Sequence, residues 1–319
     1  MELLRVENLK TYFQIMRGHV RAVDDVSFKI EKGEAFGLAG ESGCGKTTTA
    51  LAILKLLPSN GRIIGGKILF EGKNLLEIPE EEWRKNYRWK KISVIFQGAM
   101  NSLNPIMNVG DQIAEAILLH EQITKNEALE RARKLLDLVG IGAERVDRYP
   151  HELSGGMKQR AIIAMALACN PNLIIADEPT TALDVIIEAQ VLRVMKEMQR
   201  KLHISMLVIS HDLSMIAETC EKIAIMYAGK IVEQGDIATI YKEPLHPYTE
   251  RLIGAFPSIT GPRRELSTIE GFPPDLLNPP SGCRFHPRCP YAKEKCRREE
   301  PKIIPAGKDR YVACHFPLS

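Results

Sequence analysis

The segment Gly40-Glu41-Ser42-Gly43-Cys44-Gly45-Lys46-Thr47 constrains this chain more than any other. It follows an apolar run, Ala35 to Ala39, that reads as a buried strand, and it precedes Leu51, Leu54 and Leu57, whose spacing predicts a helix starting at Lys46 and stopped by Pro58. A strand, a glycine-rich turn with the spacing GxxxxGKT and a helix together form a phosphate-binding loop. Glycines let consecutive backbone N–H groups turn onto phosphate oxygens, and the helix start adds partial positive charge. Lys46 is expected to reach the terminal phosphates, Thr47 to offer its hydroxyl to Mg²⁺, and Cys44 to be small filler.

The surrounding pattern sets the fold class. Leu3 to Leu9 and Val20 to Ile30 read as strands, Asn108 to His120 and Lys125 to Val139 as amphipathic helices, the second opened by a Thr124/Glu127 capping box and closed at Gly140. Strand and helix then alternate through Leu173 to Asp177, Val185 to Leu202, Ile204 to Ser210, Leu213 to Cys220 and Lys222 to Ala228. This predicts an α/β fold with a phosphate-loop NTPase core, an N-terminal antiparallel β region, an inserted helical subdomain at about 98–160, and a small irregular tail. The expected division is 1–243 for the nucleotide-binding domain and 244–319 for the extension, with proline, glycine and charge dominating from Pro257. A tail this polar is expected to need a staple.

Composition narrows the function classes. With 43 basic and 40 acidic residues the net charge is +3, which gives no push toward nucleic acid. No apolar run has the roughly 20 residues that span a bilayer, and the start lacks the flank and apolar block of a secretion signal, so a cytosolic protein is expected. Of seven cysteines, Cys283, Cys289, Cys296 and Cys314 crowd into the last tenth of the chain, which in a reducing compartment favours metal ligation over disulfides. Cys169 and Cys220 lie in helical patterns and read as core.

The strand Leu173 to Asp177 ends in two carboxylates, Asp177 and Glu178. Asp177 is expected in the Mg²⁺ shell and Glu178 beside the attacking water. Leu153-Ser154-Gly155-Gly156-Met157, followed by Gln159-Arg160, resembles the signature of the ATP-binding cassette family, at the order and spacing that family shows. The resemblance implies head-to-tail pairing of two cassettes, with ATP between the phosphate loop of one and Ser154, Gly155 and Gly156 of the other. It also implies roles for Gln97 in sensing Mg²⁺ and water, for Asp184 in the Thr181-Ala182-Leu183-Asp184 loop that communicates across the dimer, and for His211 at the γ-phosphate. Gly40, Ser42, Gly43, Gly45 and Thr48 complete the expected nucleotide contacts, and Phe13, rather than Tyr12, is selected to stack on adenine.

Gln97-Gly98-Ala99-Met100-Asn101-Ser102-Leu103-Asn104-Pro105 and Glu243-Pro244-Leu245-His246-Pro247-Tyr248-Thr249 resemble the dipeptide, oligopeptide and nickel importer branch. The branch implies an ATPase that powers peptide import through two separate transmembrane subunits, peripheral to the cytoplasmic face of the membrane, with an extracytoplasmic binding protein as an indirect partner. A related second cassette is favoured over an identical copy. Nickel or oligosaccharide cargo, or a soluble cassette ATPase acting on nucleic acid or ribosomes, are the alternatives. Met100 and Leu103 are expected at the surface that meets a membrane subunit, or packed internally. Extensions of the branch carry a 4Fe-4S cluster in some members, so Cys283, Cys289, Cys296 and Cys314 are read as ligands of a cluster, with Zn²⁺ or free thiols as alternatives. Arg284, Arg288, Lys293, Lys295, Arg297 and Arg298 would offset its negative charge, or form a solvated basic face.

Overall fold

The computed structural model describes residues 1–255 and 269–319; the start of the proline-rich stretch at Pro257 lies outside them. The described chain divides into two compact units. One takes Met1, residues 30–35 and 77–208; the other takes residues 2–29, 36–76 and 209–319.

In the second unit, Glu2–Ile15, Gly18–Glu31, Gly61–Phe70 and Lys73–Asn74 form an antiparallel sheet in which Glu2–Ile15 lies between Gly18–Glu31 and Gly61–Phe70. Leu4 pairs Phe70 and Val6 pairs Ile68, all four buried, so one face of the pleat supplies core. The register shifts between Glu7 and Lys10, at Asn8, whose φ is +47°. This bulge re-aims the strand that goes on to Tyr12 and Phe13. A second sheet pairs Ala35–Ala39 in parallel with Lys222–Tyr227, which turns back antiparallel into Lys230–Asp236.

The tail adds to that sheet. Tyr311–Val312 pairs with Glu233 and Gln234, and Ile304–Pro305 pairs outside it. Val312 and Phe285 are buried, and the buried Glu233 receives Arg310 at 2.9 Å and the backbone N–H groups of Leu245 and His246 at 3.0 and 2.9 Å. Strand addition and buried ion pairs therefore fasten a polar segment that its composition alone would leave loose. Compactness does not separate this tail from the phosphate loop; both lie in one unit.

In the other unit, Ile92–Ile95 runs parallel to Leu173–Asp177, whose residues are all buried, with Ser205–Ser210 on its far side. The inserted helices Val109–Leu118 and Lys125–Leu138 begin where their caps predict. Asn108 accepts from the Asp111 N–H, and Thr124 and Glu127 form the capping box. Gly140, at φ +72°, ends the second helix, and Arg160 of the helix Gly155–Ala166 donates to its carbonyl at 2.8 Å. No helix among the described residues is long and apolar enough to cross a membrane.

Candidate functional site

The phosphate loop is shaped by sites only glycine fills. Gly40 and Gly45 have φ of +149° and +108°, and a Cβ on either would lie 2.1 Å from a backbone oxygen, that of Met226 or of Ala22. The helix Lys46–Ile53 begins with no side-chain cap and no acid in its first turn, which leaves its N–H groups to an external acceptor. Lys46 is buried and curls back on the loop, its Nζ donating to the carbonyls of Gly40 at 2.7 Å and Glu41 at 3.0 Å. Its charge is thus held by dipoles rather than by a carboxylate of its own unit. Cys44 is buried against it, Sγ 3.8 Å from Nζ, and burial pushes its thiol pKa up, as filler requires. Ser42, Gly43 and Thr47 are exposed and Thr48 half-buried.

Phe13 and Tyr12 are both half-buried, and the structure separates them. Tyr12 donates its hydroxyl to Asp24 at 2.8 Å, whereas the Phe13 ring lies against Gly61, where a Cβ would come within 2.9 Å. His211 is exposed at the end of Ser205–Ser210, immediately before Asp212, which caps the helix Leu213–Thr219.

The remaining site residues belong to the other unit. Asp177 is buried at the strand end. Glu178 follows with φ +46°, a conformation a non-glycine residue holds only when its surroundings impose it. Gln97 donates its amide to the Glu178 carboxylate at 2.8 Å, and Thr181 donates its hydroxyl to the same oxygen at 3.2 Å. Ser154 caps Gly155–Ala166, accepting from the Met157 N–H at 3.4 Å, and Gly155 stays exposed. Gly156 is packed so closely that a Cβ would lie 2.4 Å from Ile187 Cγ2. Asp184 caps Val185–Leu202 through the N–H groups of Ile186 and Ile187.

Two contacts here were not expected from the sequence. Buried Gln159 donates to the Pro179 carbonyl, which joins the signature helix directly to the turn after Glu178, and Thr180 donates to Glu188 at 2.6 Å, which ties that turn to the helix Val185–Leu202. Gln159 stands inside the signature motif, which marked its position but not its partner. Of the two alternatives for Met100 and Leu103, internal packing holds for Leu103, which is buried, while Met100 is half-buried; the exposed apolar residues of that stretch are Phe96 and, at 82% exposure, Ile106. Leu103 forms part of the helical core.

In the tail, Cys283, Cys289, Cys296 and Cys314 all line one small cavity with His286, His315 and Phe316. Burial pushes the Cys283 thiol up to about 11, with Cys314, Cys296 and Cys289 adding to the rise, and burial also raises Cys289 and Cys314. A tetrahedral Zn²⁺ at roughly 2.3 Å from each sulfur would need them gathered about one point. Among the described residues, no group of three or more His, Cys, Asp or Glu is so gathered. Several of the nearby cations have protein partners of their own. Arg284 pairs with Asp24, Arg288 with Glu41, Lys295 with Glu299 and Arg298 with Glu294, while Lys293 lies 4.3 Å from the Phe316 ring centroid. Each of these arginines and Lys295 has a carboxylate to settle its charge.

Comparison with known proteins gives the family. The pattern of the ABC transporter family matches residues 23–181, and that of the oligopeptide/dipeptide transporter C-terminal region matches residues 232–296. The chain is 45% identical to the dipeptide transport ATP-binding protein DppD of Escherichia coli, over 100% of this chain and 98% of that one. It is 48% identical to the oligopeptide transport ATP-binding protein OppD of Bacillus subtilis, over 97% and 87%. Its fold matches CbiO1 of Clostridium perfringens, part of the CbiONQ ABC transporter complex, with a TM-score of 0.65 and 26% identity over 76% of this chain and 91% of that one. The chain therefore belongs to the ATP-binding cassette family, as an ATP-binding subunit of its dipeptide and oligopeptide transporter branch.

Proposed function

We propose that this chain hydrolyses ATP to drive import of di- or oligopeptides through two separate transmembrane subunits, from the cytoplasmic face of the membrane and paired with a second, related cassette. The observation that carries this reading is likeness to dipeptide and oligopeptide ATP-binding subunits along the whole chain, tail included. Residues 1–243 act as the cassette, with the helical subdomain at about 98–160, and residues 244–319 as its extension.

The loop glycines and first helical turn bind the phosphates, and Lys46 turns from the loop carbonyls toward their terminal oxygens. Thr47, Gln97 and Asp177 offer hydroxyl, amide and carboxylate oxygens, the hard donors that Mg²⁺ takes. When bound, Mg²⁺ neutralises charge on the phosphates. Glu178, aimed by Gln97 and Thr181, accepts a hydrogen bond from the attacking water, and His211 donates to the γ-phosphate. Phe13 stacks on adenine. Ser154, Gly155 and Gly156 serve the nucleotide on the partner cassette, and Asp184 meets that partner. Glu178→Gln in the assembled transporter should bind ATP normally and hydrolyse it about 10²- to 10⁴-fold more slowly. Undiminished turnover would remove Glu178 from this role.

Cys283, Cys289, Cys296 and Cys314 line one cavity, which supports reading them as holders of a common group, a 4Fe-4S cluster or, as the alternative, Zn²⁺. Metal analysis and absorption of anaerobically purified protein decide this. One zinc and no iron per chain, in a colourless sample, would overturn the cluster.

A further inference from the structure

Residue Glu41, the first after Gly40 in the phosphate loop, is gripped from the tail at both its backbone and its side chain. Its N–H donates to the Tyr248 hydroxyl at 3.0 Å. Its carboxylate receives a two-pronged bond from Arg288, Nη1 to Oε2 at 2.7 Å and Nη2 to Oε1 at 3.0 Å. Arg288 and Glu41 are 247 residues apart, and the arginine side chain is only 5% exposed. Burial works against the Arg288 charge, but Glu41 and the Tyr227 hydroxyl more than offset it, so its pKa is raised. A guanidinium fork on a carboxylate fixes direction as well as distance.

The parts that carry this grip are rigid. Tyr227 and Tyr248 stand 4.6 Å apart between ring centroids, and Phe285 closes the trio at 5.1 and 5.3 Å, with Tyr248 and Phe285 fully buried. Four residues before Arg288, Arg284 makes a second buried arginine–carboxylate contact with the cassette. It pairs with Asp24 and donates to the Ala228 carbonyl at 2.5 Å, and Asp24 also accepts from Tyr12, the neighbour of Phe13. Burial tends to raise the Asp24 pKa, but Tyr12, Lys230 and Arg284 together bring it below the usual carboxylate value.

We propose that the tail segment 284–288, anchored by Arg284 on Asp24, braces the nucleotide site, with Arg288 as the positioning residue for the phosphate loop through Glu41. In this proposal Arg288 acts through Glu41 and not on the nucleotide itself. The inference rests on the phosphate loop holding ATP, and it is independent of what the tail cysteines bind.

The test measures ATP binding by the isolated full-length chain, and KM and kcat for ATP in the assembled transporter, for Arg288→Gln, Arg288→Lys, Glu41→Gln and the double Arg288→Gln/Glu41→Gln. The two single neutral variants should each weaken ATP binding about tenfold, with KM raised and kcat at saturating ATP within about twofold of wild type. The double variant should be no worse than either single, because both remove the same contact. Arg288→Lys, which keeps charge but not the fork, should fall between. Loss of kcat with KM unchanged, or binding within twofold of wild type in Glu41→Gln, would overturn the brace; the second measurement decides even where Arg288→Gln fails to fold. Wild-type chain that binds no ATP would sink the nucleotide reading itself, a separate failure.

Discussion

The phosphate loop and the cysteine-bearing tail are both turn-rich, cation-bearing segments of the same unit, yet they settle their charges in opposite ways. Lys46 is buried with its ammonium, among the described residues, against backbone carbonyls and a thiol, and the helix it opens has no capping side chain. Arg284, Arg288 and Arg310 are equally buried, and each is matched to a carboxylate. A charge left to weak dipoles is prepared to take an anion from outside. A charge matched internally holds the fold and has little left for a ligand.

The contrast breaks if the wrong residue proves to be structural. Replacing Lys46 with Met should weaken ATP binding at least a hundredfold while changing stability to urea by no more than about 1 kcal/mol, since only two carbonyl contacts are lost. Titration with a fluorescent ATP analogue beside a urea melt reads both. A Lys46→Met chain that melts early would place the lysine with the tail arginines.

Arg310→Met should do the reverse, lowering stability by about 3–5 kcal/mol because buried Glu233 loses its partner. ATP affinity of the folded fraction should stay within about twofold. An unchanged melt would show that strand pairing alone fastens the tail.

The smallest effect sharpens the comparison at His246, which caps the helix Pro247–Gly254. Buried His246 accepts from the Tyr248 N–H, and burial lowers its pKa from 6.5 to about 3. The unfolded chain then binds a proton below pH 6.5 that the folded chain refuses until about pH 3. The stability of the folded state due to neutral His246 is complete above pH 6.5 and is lost as pH falls through that window, at up to about 1.4 kcal/mol per unit. His246→Asn, which keeps an acceptor for Tyr248 N–H, should show a shallower fall between pH 6.5 and 5 in urea melts. Parallel curves would mean that carboxylates alone govern the acid limb.

Much of the nucleotide machinery was legible because its elements are local. The glycines around Cys44 and the Thr124/Glu127 box are each set by residues within a few positions, so spacing reports them. The exposure of Met100 and Leu103 was not legible, because which apolar residue of a short turn goes inward depends on the helices that meet it. Nor was it legible that two of the basic residues among the cysteines, Arg284 and Arg288, pair with the distant Asp24 and Glu41.

By itself the sequence determined the loop, the acidic strand end, the signature and the alternation of strand and helix, since periods of two and 3.6 residues and fixed motif spacings are properties of neighbouring positions. Only the tertiary structure decided that Gln97 meets Glu178 across 81 positions, that Arg288 meets Glu41 across 247 and Arg284 meets Asp24 across 260. A charge chooses among many opposite charges of similar kind, and what selects one is the path of the whole chain, which no local pattern records.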